Sequence, residues 1–401
     1  MGSKVKERLP QLDLFRAFAI ICVIQVHAFS FAAAEQALSS PVHYFYNWMN
    51  IFFRIGTSSF IFLSSFVLFY NYYDKPYSRE RIGRFYKKRL TYIILPYLLV
   101  SCCYFLVVAW YTKELVNLPT MQLLGKLGVQ LLTGSAYTHL YFVFISIQFY
   151  LLFPLLLWLI QKMGRSKVAV AWIIPVGLAI QWAFFIWNKY DLQLANKGSF
   201  APSYFSFYLL GAAVAVYFDT IKDWLGKSWK AATSRQKIAT ASLWGGWLLL
   251  SIIDVHLYYM LRQRMYVANT YIFELVWNLH LLLSALVLFK AAFAVYRIGT
   301  ERWIRWLTRL GELSFAIYLF HPAVLLVYRQ LRYRLIGETV GTQYFFYILC
   351  GSVLALALSW LFTQVCFKLL PFASVFLGNV PASLKKKQTL PAVDRQTSLT
   401  P

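Results

Sequence analysis

The sequence predicts an all-α, polytopic membrane protein of about ten transmembrane helices with both termini in the cytoplasm, and three observations carry that expectation. Of 401 residues, 60% are hydrophobic and only 13% charged, more apolar side chain than one water-soluble core buries, so lipid must solvate the excess. Apolar runs recur from residue 12 to residue 370, each long enough for the about 20 residues that a bilayer core of roughly 30 Å requires. Lys and Arg are also unevenly divided: the termini and alternate loops on one side hold 28 and the loops on the other hold 9. The positive-inside rule places the basic set in the cytoplasm.

The expected spans are 12 to 34, 45 to 72, 91 to 111, 138 to 161, 168 to 188, 203 to 221, 238 to 256, 271 to 296, 311 to 328 and 342 to 370. The segment 119 to 134 is too short and too rich in glycine to cross, and reads as an interfacial or re-entrant piece. Residues 1 to 375 form the integral membrane domain, and 376 to 401, polar and proline-containing, a disordered cytoplasmic tail. The first span begins like a secretory signal, with a basic start, an apolar run and then Ala32, Ala33 and Ala34. Its length, and the presence of Asp13, Arg16 and His27 within it, argue against removal. No repeat of 20 to 50 residues is visible, which disfavours a transporter built on internal repeats.

The net charge of +24 is accounted for by basic loops lying against anionic lipid headgroups of the bilayer. Those residues are scattered over short loops with no recognition module, so nucleic acid is excluded as a partner. The five cysteines, Cys22, Cys102, Cys103, Cys350 and Cys366, all fall in apolar spans. They lack both a disulfide framework and a metal-ligand spacing.

Ionisable groups inside spans are costly, so each is a functional candidate expected to face the bundle interior. They are Asp13, Arg16 and His27 on the first helix, Arg54 on the second, Glu274 and His280 on the eighth and His321 on the ninth. Asp254 and His256, at the outer end of the seventh, are expected at the interface. Arg16 and His27 are eleven residues apart, about three turns and about 16 Å of rise, and therefore share a face. That face leads from the cytoplasmic surface to mid-membrane, with Asp13 one turn from Arg16 and able to pair with it. A buried neutral imidazole at His27 can take a proton from a hydroxyl; the alternative is an interhelical packing histidine. Arg54, reached from the opposite side, suits an oxyanion or an anionic substrate group, or else is a structural partner for Glu274 or for a helix C-terminus. The loop DKPYSRERIGRFYKKRL packs seven basic residues beside the membrane. Most serve as headgroup anchors, while Arg84, Lys88 and Arg89 also suit the phosphates of a nucleotide donor. Tyr44, Tyr46, Trp48, Tyr137 and Tyr141 read as interfacial belts, or as a saccharide platform on the outer face.

RLPQLDLFRAFAIICVIQVH resembles the first helix of the acyltransferase family 3 membrane proteins, which open with an LD-x-x-R-A run and carry R-x10-H; Arg16 and His27 stand in that spacing. Further along, SFIFLSSFVLF is similar to the family's F-F-x-x-S-G-F second helix and RFYKKRLTYIILPYL to its basic hairpin. HLYFVFISIQFYLLFPLL resembles its fourth helix and GELSFAIYLFHPAVL its penultimate one, with S-x-x-I-Y-L-x-H. Five motifs in order, over residues 8 to 325, make the resemblance specific. Two positions depart from it: Ser65 stands where glycine is frequent, and Thr91 and Tyr92 stand where a second hairpin arginine is frequent.

The resemblance implies O-acylation, typically O-acetylation, of an extracytoplasmic or membrane-associated glycan. Acetyl-CoA or another acyl-CoA is the co-substrate, and no bound cofactor or metal is implied. His27 is then the base or acyl relay, supported by Arg16 and Asp13, with Gln148, Ser314 and His321 as further contacts; His321 equally suits an interhelical hydrogen bond. SSFVLFYNYY and FYKKRLTYIILPYL are similar to the branch that modifies exopolysaccharides in Gram-positive bacteria. That implies a bacterial plasma membrane and leaves room for partner proteins of a polysaccharide export pathway. The competing expectation is an exporter or flippase of a polysaccharide or lipid-linked sugar that uses the same charges as a proton relay. A non-catalytic scaffold leaves the cost of Arg16 and His27 on one helix face unexplained.

Overall fold

The computed structural model describes residues 6–164, 167–265, 269–335 and 341–384, the side chains of 167–171, 333–335 and 341–342 excepted. No strand occurs among the described residues. Helix α1 (Gln11–Glu35) is followed by α2 (His43–Phe52) and α3 (Gly56–Tyr72), which a 3-10 turn at Phe53–Ile55 joins into one span. Next, α4 (Arg79–Arg89) passes through a π-helical turn, Leu90–Ile94, into α5 (Leu95–Tyr111). Short helices α6 (Glu114–Asn117) and α7 (Thr120–Thr133) precede α8 (Tyr141–Met163) and α9 (Lys167–Trp187). The rest comprises α10 (Phe205–Val216), α11 (Phe218–Gly226), α12 (Ser234–Arg262), α13 (Thr270–Ile298), α14 (Glu301–Leu335), α15 (Gly341–Leu369) and α16 (Ala373–Leu377).

Among the described residues, eight helices are long and apolar enough to cross a membrane, and a ninth span results if a pair bent by 88° counts as one. These fall on nine of the ten expected spans, and α9 occupies the remaining one at 168 to 188. The bent pair is where the expectation at 203 to 221 changes. Its apolar run stops at Val216, and α11, carrying Asp219, Lys222 and Asp223, turns away from the bundle axis. Charged side chains favour the interface over hydrocarbon, which gives the turn its physical reason.

Helix α7 has no buried residue and ends at Gly134, whose φ of 69° is the left-handed conformation that closes many helices. Lys126 of α7 lies 2.5 Å from Glu114 of α6 and holds that carboxyl below the usual carboxylate range. Local chemistry starts other helices: Thr233 and Gln236 form a reciprocal capping box on α12, Ser78 caps α4 and Asn269 caps α13. Of the tail expected at 376 to 401, residues up to 384 are described, and the Ser383 amide donates to Glu312 at 3.0 Å. The rest of the tail lies outside the described residues.

At the centre is α1, packed by α2, α3, α13, α14 and α15. Leu14, Phe15, Ala17, Ala19 and Ile20 have no exposure at all. A helix enclosed on most sides turns its polar residues toward protein whichever way they point, which satisfies the cost of Asp13, Arg16 and His27. Two glycines permit the closest approaches. A Cβ on Gly311 of α14 would lie 1.8 Å from the Asp13 carbonyl oxygen of α1. One on Gly211 of α10 would lie 2.3 Å from the Phe62 carbonyl oxygen of α3 and 2.9 Å from Ser65 Cβ. Ser65, in a position where glycine is frequent in the family it resembles, therefore meets a glycine on the neighbouring helix.

Two expectations of interfacial placement are corrected. Asp254 is buried, with its carboxylate 3.0 Å from His280 Nδ1, because α12 presents it to α13 inside the bundle rather than to its end. Tyr46 is also buried, whereas Tyr137, stacked on Tyr104 at 4.5 Å, and Tyr141, whose hydroxyl is 3.2 Å from Thr57 Oγ1, are half-buried. A tyrosine hydroxyl that finds an internal partner need not remain at the membrane surface.

The α3–α10 contact yields the first prediction. Gly211→Ala should force those helices apart and cost about 1–3 kcal/mol, as overpacking does. A lower thermal midpoint in detergent than the wild type is expected, with Gly245→Ala, which has nothing within 4 Å of its added Cβ, as the neutral control.

Candidate active site

The site begins at the end of the bundle that carries the N-terminus and the α4 hairpin. Asp13 is 5% exposed and lies between two arginines, with Arg16 Nη1 at 2.5 Å and Arg8 Nη2 at 3.2 Å. Arg8 also reaches Glu312 of α14 at 3.0 Å, and its hydrogen bond to Asp13 helps raise its pKa. Two cations and two carboxylates thus form one neutral network, the condition under which charge at a membrane boundary is tolerated. Asp13 orients Arg16, whose remaining N–H groups are left for whatever occupies the space beside it.

That space is a cavity of about 590 Å³ at the basic end, lined by Lys6, Arg8, Arg16, Lys88 and Arg89. A deeper cavity of about 190 Å³ continues from it. Arg16, Arg89 and Ser314 line both, and so form the neck between them. The deeper cavity is narrow and mostly apolar, with Phe60, Leu63, Phe142 and Val143 in its wall and Ser64 and Ser146 as polar points. Arg89 is held over the rings of Tyr150 at 4.7 Å and Phe85 at 5.4 Å, and its Nε is buried without a hydrogen-bond partner. The π-helical turn that follows Arg89 brings Tyr92 and Ile93 to the same wall.

Tyr318 lines the deeper cavity; His139 and His321 flank its ring, and His27 stands against His321. The Tyr318 ring centroid is 5.2 Å from His139 and 5.8 Å from His321, and its hydroxyl donates to the His139 carbonyl. His321 is 5.1 Å from His27 and 5.8 Å from His139, centroid to centroid. Each histidine comes from a different place in the chain: α1, the turn entering α8, and α14 immediately before Pro322. His321 Nδ1 lies 3.3 Å from the Ile317 carbonyl, while its Nε2 and both nitrogens of His139 have no hydrogen-bond partner among the described residues. His139 and His321 are fully buried, whereas His27 is partly accessible. Arg329, two turns beyond His321, donates to the His27 carbonyl at 2.6 Å and so fixes the backbone there. Among the described residues no group of His, Cys, Asp and Glu side chains is arranged to hold a metal ion. Imidazole nitrogens not engaged by other described residues lie beside Tyr318 of the cavity wall, and general-base or nucleophilic catalysis draws on such nitrogens.

The sequence profile of the acyltransferase domain family, family 3, matches residues 9–364. The chain belongs to acyltransferase family 3. No curated protein matches it, and no solved structure does. The matched region contains the histidine cluster and Arg16, Lys88, Arg89 and Ser314, while Lys6 and Arg8 at the mouth and Leu377 of α16 lie outside it.

Of the candidates expected from sequence, the fold brings Asp13, Arg16, Lys88, Arg89 and Ser314 to the two connected cavities and His27 and His321 to the cluster. Arg84 is not among them: it lies on the exposed side of α4, 3.5 Å from Glu80. Gln148 acts elsewhere, donating to the Ser199 carbonyl at 2.9 Å and accepting from the Ala201 amide at 3.0 Å. Arg54 lies in a third cavity, near the opposite end. Glu274, the partner weighed for it, is instead 2.9 Å from Lys197.

Sequence reading did not single out His139 or Arg329. His139 is the second residue of the span expected at 138 to 161 and Arg329 lies one residue beyond 311 to 328, and at a span end an ionisable side chain can reach water without cost. The arrangement predicts that His139→Phe, which preserves ring volume, will leave protein of normal yield and monodispersity in detergent. Acylated product from its membranes should fall by about 100-fold, the scale of a lost proton-transfer or positioning group.

Proposed function

We propose that this acyltransferase moves an acyl group, acetyl in the simplest case, from acyl-CoA to a hydroxyl of a cell-surface or exported polysaccharide in a bacterial plasma membrane. The observation that carries the reading is the connected space running from a basic mouth, past Arg16, Arg89 and Ser314, to Tyr318, against which His139 and His321 pack, with His27 next to His321. Its two parts differ as the two parts of a CoA thioester do. Lys6, Arg8, Lys88 and Arg89 suit the phosphates of the nucleotide, and the narrow apolar channel suits the linear pantetheine arm. In this reading the basic mouth faces the cytoplasm, where acyl-CoA is made.

His27 accepts the proton of the sugar hydroxyl as its oxygen attacks the thioester carbonyl. The tetrahedral intermediate collapses by breaking the carbon–sulfur bond, and the proton on His27 passes to the departing thiolate, releasing CoA. If His27 instead takes the acyl group first, its ring nitrogen displaces the thiolate to form an acyl-imidazole, and the sugar oxygen then breaks that nitrogen–acyl bond, the hydroxyl proton passing in net to CoA. Arg16, oriented by Asp13, grips the donor at the neck. Burial of the cluster keeps water from the thioester and favours transfer over hydrolysis.

The test is release of free CoA from acetyl-CoA by purified protein, with and without crude envelope glycan and with no ion gradient. Glycan-dependent release is expected, falling at least about 100-fold in His27→Ala. Arg89→Gln should mainly raise the KM for acetyl-CoA, by about 10-fold, because it removes a contact made equally in ground and transition states. Folded protein that releases no CoA from acetyl-CoA or from a panel of other acyl-CoAs would favour the exporter reading. In that reading the same cavities pass a saccharide and no covalent bond changes.

A further inference from the structure

The third cavity, about 600 Å³ in volume, opens among segments 188–204 and 258–277, away from the basic mouth. Its wall carries Arg54, Lys189 and Lys197 against a single carboxylate, Glu274. Glu274 is 2.9 Å from Lys197, and Asp254, whose charge reaches Arg54, is held 3.0 Å from His280. Arg54 has no carboxylate within ion-pair distance among the described residues and sits over the Tyr258 ring at 4.9 Å. A largely buried guanidinium facing a cavity with no counter-ion of its own is costly unless a ligand supplies the charge.

Two further features point to the rest of that ligand. Tyr204, Tyr258 and Trp277 give flat apolar surfaces of the kind that face sugar rings, and the Trp277 indole N–H is buried with no partner among the described residues. Hydroxyl groups find acceptors in the Glu274 carboxylate and Asn188. The wall is also built to hold its shape. Gln148 pins the Ser199–Ala201 backbone between Lys197 and Tyr204, and Glu274 accepts from Asn278, which in turn bonds Gln181. Arg54 is three residues from Thr57, whose Oγ1 is 3.2 Å from the hydroxyl of Tyr141, the residue that opens α8 just after His139. Tyr204 lines this third cavity and Tyr318 the deeper one, so in the proposed reaction donor and acceptor occupy separate spaces.

We propose that this cavity is the acceptor subsite and that it selects a saccharide bearing an anionic group, carboxylate or phosphate, with the anion on Arg54 and a sugar ring against Trp277 and Tyr204. The proposal rests on the acyltransferase reading above and adds the charge class of the acceptor. Recognition by a charged hydrogen-bonding group discriminates strongly against an analogue that lacks the charge, because the buried cation is then left unpaired.

The experiment is calorimetric binding to the full-length protein in phosphatidylcholine nanodiscs, without any acyl donor, so that it is independent of turnover. One probe pair is a tetrasaccharide of alternating glucuronate and N-acetylglucosamine and its carboxyl-reduced, neutral form. The other is maltotetraose with and without a single phosphate. At least one anionic probe should bind 10-fold or more tightly than its neutral partner. That preference should vanish in Arg54→Gln and be partly kept in Arg54→Lys, with both variants first checked for wild-type thermal midpoint. No preference in either pair, or a preference unchanged in Arg54→Gln, overturns the proposal. So does loss of saccharide binding when phosphatidylglycerol replaces phosphatidylcholine, which would make a lipid headgroup the occupant. Because no acyl transfer is measured, failure here leaves the reaction standing, while absence of CoA release with the preference intact removes the reaction alone.

Discussion

Helices α1 and α14 run side by side in the same direction, and that pairing sets the positions of Asp13, Arg16, His27 and His321. Gly311 lets the α14 backbone meet the Asp13 carbonyl at one end, and Arg332 pairs with Glu35 at 3.2 Å at the other. Between these contacts His321 and His27 come to 5.1 Å, while Arg329 holds the His27 backbone. Parallel helices locked at both ends cannot slide by a turn without separating an ion pair and driving backbone into backbone. The spacing of the histidines therefore follows from packing, and the Asp13–Arg16 pair inherits its depth from the same contact.

Around that pair the bundle keeps its irregular backbone for the walls of its polar cavities. Both π-helical turns among the described residues, Leu90–Ile94 and Asn188–Leu192, border a cavity, one supplying Ile93 and Tyr92 and the other Asn188 and Lys189. Backbone that departs from the α-helix leaves amide and carbonyl groups short of partners, which lipid cannot satisfy and a water-filled or ligand-filled cavity can. Much of the surface is covered by large apolar side chains such as Trp110, Leu132 and Val353, as a lipid-facing exterior requires.

The deeper cavity and the one beside Arg54 are walled by different tyrosines, Tyr150 and Tyr318 in the first and Tyr204 and Tyr258 in the second. In the proposed reaction this arrangement lets a donor and an acceptor approach from opposite ends while their bulk stays apart and only the thioester carbonyl and one hydroxyl come together. The histidines then need to move a proton over a short distance and no other part of the chain has to travel.

The chain by itself determined the membrane class, because no packing could hide so much apolar surface from water. The helical periodicity placed Arg16 and His27 on one face, and the order of motifs placed the chain in its family. Residue type alone also marked Asp13 and His321, since an ionisable group deep in a span has few inexpensive places to be. Tertiary structure decided the rest. His139 and Arg329 sit at span ends, where sequence cannot distinguish a side chain turned to water from one turned inward. Arg84 and Arg89 lie in one basic run, and only the π-helical turn after Arg89 and its seat over Tyr150 separate the residue at the channel neck from the one on the surface. Asp254 and Gln148 were assigned by what faces them across helix contacts, His280 and the 199–201 backbone. Such partners are distant in sequence, and a span records the cost of a polar side chain without recording which neighbour satisfies it.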